Sequence, residues 1–137
     1  MTGIHLDEHV LVAGQIMPDD VAGLAADGVT VIVNNRPDGE EPGQPASAEI
    51  EAAAQAAGIG YRHLPVAGSL TPMNVAEMIR ELAQVESKIL AFCKTGTRST
   101  YLWAAARAQQ GADLDDLEQR AASAGYELRV KPREPEG

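Results

Sequence analysis

Cysteine occurs once in the sequence, as Cys93, and the residues that follow it, Lys94, Thr95, Gly96, Thr97, Arg98, Ser99 and Thr100, are of types that bind an oxyanion. Successive backbone N–H groups of a short loop entering a helix converge on a negative charge, and Gly96 lets the chain curl around it. A thiol at the floor of such a cup, near a helix N-terminus, Arg98 and Lys94, is biased toward the nucleophilic thiolate. Arg98 supplies a planar, bidentate fork for the anion. Ser99 or Thr100 has a hydroxyl to donate to the thiolate or to cap the helix. The plainer reading makes Cys93 a small side chain filling a strand end and Lys94 a solvated cation. The Gly, Arg and Ser at these spacings favour the reactive thiolate.

A second polar segment, Asn34 to Glu41 (NNRPDGEE), follows an apolar run. Arg36 has a positive charge to add to the cup, and Asn34 or Asn35 can fix the loop by hydrogen bonds, as they can also simply end a strand. Asp38, Glu40 and Glu41 are candidate proton donors, or else a solvated acidic loop. His63, alone in a strand, reads as structural, and Trp103 reads as core. His5 and His9 make no ligand set with Cys93, so neither metal nor cofactor is expected.

Periodicity and punctuation place these residues on alternating strands and helices. Strands are expected at 9–15, 29–35, 59–66 and 88–92, and helices at 18–28, 46–58, from Thr71 and Pro72 onward, at 99–111 and at 113–125. In the third helix Val75, Met78, Ile79, Leu82 and Val85 share one face, a core stripe. Residues 67–70 and 93–98 are loops. This alternation predicts an α/β fold with a mostly parallel, four- to five-stranded sheet covered by helices, and ligand sites at the carboxyl ends of the strands. Both polar segments lie at such ends.

The 137 residues fit one domain, taken as 1–130, followed by a flexible tail, 131–137. A formal net charge of -9 without a basic run argues against nucleic acid. A lone cysteine forms no internal disulfide, the N-terminus lacks the pattern of a signal peptide, and no run reaches membrane-spanning length, which together predict a cytoplasmic protein without a membrane partner.

Taken in order, NNRPDGEE, YRHLPV and CKTGTRS, followed by LWAAARAQQGADLDDL, resemble the phosphatase-like domain of the beta-lactamase-hydrolase-like protein family over roughly residues 5 to 125. That family is similar in fold to the dual-specificity protein phosphatases. The resemblance implies a Cys-loop between a strand and a helix, with Cys93 and Arg98 as catalytic residues and Lys94, Thr95, Gly96, Thr97 and Ser99 in the anion loop.

Three departures from the phosphatase pattern bear on function. Phosphatases carry His-Cys-x-x-Gly-x-x-Arg, one residue longer between Cys and Arg than the four residues here, and a rhodanese loop matches the shorter spacing. Phe92 replaces the histidine before the cysteine. The loop that carries the phosphatase acid reads Ala67, Gly68, Ser69, Leu70, with no carboxylate. Sulfite leaving from thiosulfate needs no proton donor, whereas an alkoxide leaving from phosphate does. The expectation is therefore a sulfurtransferase that carries a Cys93 persulfide to a small-molecule or protein thiol acceptor. The family's association with a sulfur-oxidising domain implies a possible separate partner enzyme of that kind. A phosphatase working through a Cys93 phosphoenzyme, with its acid drawn from Asp38 to Glu41, is the alternative, and a non-catalytic anion or persulfide sensor the third.

Overall fold

A computed structural model describes residues 3–84 and 86–128. Val85 of the expected stripe and the tail 131–137 lie outside these residues.

The described residues build a five-stranded sheet of order β1-β2-β5-β3-β4, from β1 (Ile4–His5), β2 (Val10–Ala13), β3 (Val31–Asn34), β4 (Gly60–His63) and β5 (Ile89–Phe92). All neighbours pair in parallel except β1, which runs antiparallel to β2. The helices are α1 (Val21–Ala26), preceded by a 3-10 turn at Pro18–Asp20, α2 (Ser47–Ala57), α3 (Pro72–Leu82), α4 (Thr97–Gln109) and α5 (Leu114–Ser123).

Strand side chains alternate between faces, and both faces of β5 are buried. Ile89 and Ala91 join Val10, Val12 and Val33 against Met78 of α3, Leu102 and Trp103 of α4 and Leu117 of α5. Leu90 and Phe92 join Leu11 and Ile32 against Val21 and Leu24 of α1 and Ile50 of α2. The periodicity thus carries over from Phe92 to Cys93: the phenylalanine anchors the strand end toward α1 and α2, in place of the phosphatase histidine.

Strands β2, β3 and β4 are shorter than the expected 9–15, 29–35 and 59–66, and the sequence expectation differs further in two places. Strand β1 was not anticipated, because its two residues are exposed and carry no apolar pattern. Its turn is made by Asp7, whose Oδ1 accepts the N–H groups of His9 and Val10 at 2.8 and 2.9 Å. Helix α4 begins at Thr97, not at Ser99, so Arg98 lies in its first turn and the loop proper is Cys93 to Gly96. The hydroxyl of Thr100, donating to Gly96 O at 2.8 Å alongside its own N–H at 2.9 Å, draws the helix back by that margin.

Candidate active site

The central position of β5 places Cys93 beside the end of β3, where the Asn35 N–H donates to Phe92 O at 2.8 Å. The two polar segments therefore meet. Cys93 is 1% exposed, at the floor of the loop, and its Sγ accepts the Gly96 N–H at 3.1 Å. Gly96 adopts φ +95°, a left-handed conformation that other residues rarely tolerate. The loop's carbonyls are tied outward: Lys94 O accepts Gln15 N–H at 3.1 Å and Thr95 O accepts the Tyr126 hydroxyl at 2.9 Å. With Thr95 O held away, the Gly96 N–H on the far side of the same peptide faces the sulfur, the orientation an oxyanion requires.

Arg98 meets Glu40 fork to fork, Nη1 to Oε2 at 2.8 Å and Nη2 to Oε1 at 2.9 Å, and Nη1 also donates to Val66 O at 2.8 Å. A guanidinium has five N–H donors, and these contacts use three. The two that remain, Nε–H and one Nη2–H, form its side-on edge, a geometry matched to two oxygens of a phosphoryl group. The contact with Glu40 raises the Arg98 pKa, opposed by burial, and the neighbouring Cys93 adds to the rise.

Glu40 is shared. Its Oε1 also accepts Nε of Arg36 at 2.8 Å, while Arg36 donates through Nη2 to Glu41 Oε1 at 2.9 Å and through Nη1 to Gln15 Oε1 at 2.9 Å. Arg36 is 2% exposed, and burial costs its charge less than the two carboxylates return, so its pKa is raised. Arg98, joined by burial-opposing help from Arg36, holds the Glu40 carboxyl at about 2. Glu41 is lowered too, by Arg36 first and then by Lys94, whose Nζ lies 3.5 Å from Glu41 Oε2.

The expected site residues thus divide. Cys93, Gly96, Arg98, Arg36, Glu40, Glu41 and Lys94 come together. Thr95 and Thr97 form the exposed rim, their hydroxyl oxygens 3.0 Å apart. Asp38 turns away, its Oδ1 accepting Ser47 N–H at 2.8 Å and satisfying the first turn of α2. Ser99 does not donate to the sulfur, and nor does Thr100. The Ser99 hydroxyl donates instead to Asn35 Oδ1 at 2.7 Å, fastening α4 to the end of β3. Asn34 accepts Arg36 N–H at 2.8 Å, and His63 Nε2 donates to Arg36 O at 2.8 Å, so both shape the Arg36 turn. Sequence reasoning missed Gln15, the Val66 carbonyl and Tyr126, which act through backbone groups or from distant segments. Among the described residues, no group of three or more His, Cys, Asp and Glu side chains is arranged to hold a metal, and no helix is long and apolar enough to cross a membrane.

Residues 4–110 match the family model described as the beta-lactamase hydrolase-like protein, phosphatase-like domain. The chain belongs to that family. A beta-lactamase hydrolase-like protein of Agrobacterium fabrum is 36% identical over 97% of this chain, and the match spans 31% of the relative's length. The chain thus covers about a third of the curated relatives it matches. A Neisseria meningitidis protein described as a candidate phosphatase superposes with a TM-score of 0.78 at 38% identity, covering 91% of this chain and 89% of that one. The kinase associated phosphatase, solved with its catalytic site cysteine replaced by serine, gives a TM-score of 0.67 at 17% identity over 83% of this chain and 72% of its own, a likeness of fold alone. The domain is therefore phosphatase-like. None of these relatives is named for sulfur transfer, so the leading sequence expectation gains no support from them, and the phosphatase alternative does.

Proposed function

We propose that this domain is a cysteine-dependent phosphatase that hydrolyses phosphate monoesters with good leaving groups, aryl esters above all. The observation that carries the proposal is the division of labour around Arg98: Glu40 and Val66 hold three of its donors and leave the side-on edge next to the Cys93 sulfur. A phosphoryl group bound on that edge, with its remaining oxygens on the loop N–H groups, presents phosphorus to Sγ.

In the first step the Cys93 thiolate forms an S–P bond as the ester P–O bond breaks and the phenolate leaves with its electron pair. In the second a water oxygen bonds to phosphorus, the S–P bond breaks, and the thiolate returns as dihydrogen phosphate departs carrying both of the water's protons. Among the described residues around Cys93 no carboxyl stands ready as an acid, which supports a substrate class with good leaving groups. Glu40, held at about 2 by Arg98 and Arg36, is ionised at neutral pH, Glu41 is lowered likewise, and Asp38 faces α2. General acid catalysis worth roughly 10²- to 10⁴-fold is forgone, which penalises alkoxide leaving groups and spares phenolates.

The deciding experiment compares p-nitrophenyl phosphate with thiosulfate plus cyanide, using wild type and Cys93→Ser. Phosphate release that requires Cys93, without thiocyanate, is the expected result. Cys93-dependent thiocyanate without phosphate release would return the short loop to the sulfurtransferase reading, and neither product would leave an anion sensor.

A further inference from the structure

We infer that Tyr126, beyond the end of α5, is a positioning residue for the nucleophile: its hydroxyl holds the Thr95–Gly96 peptide so that the Gly96 N–H faces Cys93 Sγ. The two hydrogen bonds belong to one planar unit. Thr95 O accepts the phenol at 2.9 Å, and the Gly96 N–H donates to the sulfur at 3.1 Å. In a trans peptide C=O and N–H point in opposite directions, so gripping one end aims the other. Turned over, the same peptide would set a carbonyl oxygen against the sulfur and withdraw a donor from the cup.

Tyr126 is itself held in place. Gly125, at φ +97°, ends α5 in a Schellman arrangement, with Tyr126 N–H donating to Ala121 O at 2.8 Å and Gly125 N–H to Ala122 O at 3.0 Å. The next residue is fastened to α4, where the Tyr101 hydroxyl donates to Glu127 O at 3.1 Å. The phenol then lies so close over Gly96 that a Cβ there would land on its oxygen, a second reason for glycine besides the positive φ. Burial raises the Tyr126 pKa and the nearby Cys93 raises it further, so the hydroxyl keeps the proton it donates. None of these contacts serves the sheet.

The inference rests on the reading of Cys93 as nucleophile, and its test separates the two. Wild type and Tyr126→Phe, which keeps the ring and removes the grip, are compared by 1H–15N spectra and by calorimetric titration with inorganic phosphate. The Gly96 amide peak is expected to move while peaks from the sheet stay, and phosphate binding to weaken by about tenfold, the scale of one hydrogen bond to a charged group. Either readout at its wild-type value in folded Tyr126→Phe overturns the inference. Should that variant not fold, Gly125→Ala, which strains the turn that aims the phenol and leaves the loop's own residues unchanged, is expected to weaken phosphate binding in the same direction, and undiminished binding there overturns it. A wild type that releases no phosphate from p-nitrophenyl phosphate counts against the proposed function, while the Gly96 peak continues to test Tyr126.

Discussion

Glu40 and Arg98 face each other fork to fork at 2.8 and 2.9 Å, although 58 positions separate them in the chain. The pair joins the loop after β3 to the first turn of α4, and Arg36 beneath it keeps Glu40 from following any ligand that Arg98 binds. One of the three carboxylates that the sequence offers as a candidate acid is thus committed to holding a guanidinium in its plane.

If Glu40 sets that plane, Glu40→Gln halves the fork and leaves the arginine able to rotate. The expected outcome is a fall in kcat/KM for p-nitrophenyl phosphate of about tenfold, with Arg98→Lys losing roughly a hundredfold or more because an ammonium cannot span two oxygens. Steady-state kinetics on both variants checks the ranking.

Without an acid, turnover must track the basicity of the leaving group. Across p-nitrophenyl, phenyl and alkyl phosphates, kcat is expected to fall by roughly 10²-fold or more from first to last, steeper than an enzyme with a donor would show. A flat series would mean that some group does deliver a proton.

The acid limb of stability should carry the mark of Glu40. Its folded value of about 2 lies below the ordinary 4.5, so the folded chain binds fewer protons between those values, and the carboxylate stabilises the fold above pH 4.5. That contribution drains away as pH falls from about 4.5 to about 2. Urea unfolding of wild type and Glu40→Gln over that range is expected to show their difference shrinking toward zero.

At the opposite end of the strands, Asp7 Oδ2 accepts Trp103 Nε1–H at 2.7 Å and Arg107 Nε–H at 3.0 Å. Burial raises the Asp7 pKa, but the hydrogen bonds from Trp103, His9 and Arg107 outweigh it and leave the pKa lowered. Asp7→Ala strands the indole and guanidinium donors, at an expected cost of about 2 kcal/mol in denaturant unfolding.

The strands β2 to β5 and the Cys93 loop are legible in the sequence because each rests on a local pattern: β-branched runs such as Val31 to Val33, and a glycine and an arginine at fixed offsets from Cys93. The arrangement around Arg98 is not, since a carboxylate reads the same in Asp38, Glu40 and Glu41 until folding brings Arg98 to one of them. Loop length was similarly ambiguous. Four residues between Cys93 and Arg98 suit a rhodanese loop when read as loop, but the helix begins at Thr97, and the arginine reaches the site from its first turn. Tyr126 left no signal, because its role depends on where α5 stops.

The place of β5 in the middle of the sheet has a kinetic meaning as well. It is bonded to β2 on one side and β3 on the other, so hydrogen exchange from Leu90 or Ala91 is expected to wait on unfolding of the whole domain. The stretch from Arg36 to Gln44 belongs to no strand or helix and is pinned by side chains, so it can open sub-globally with the sheet intact. Cys93 therefore hangs from the most deeply bonded strand, while the carboxylate that orients Arg98 sits on a segment whose amides are expected to exchange before those of the sheet.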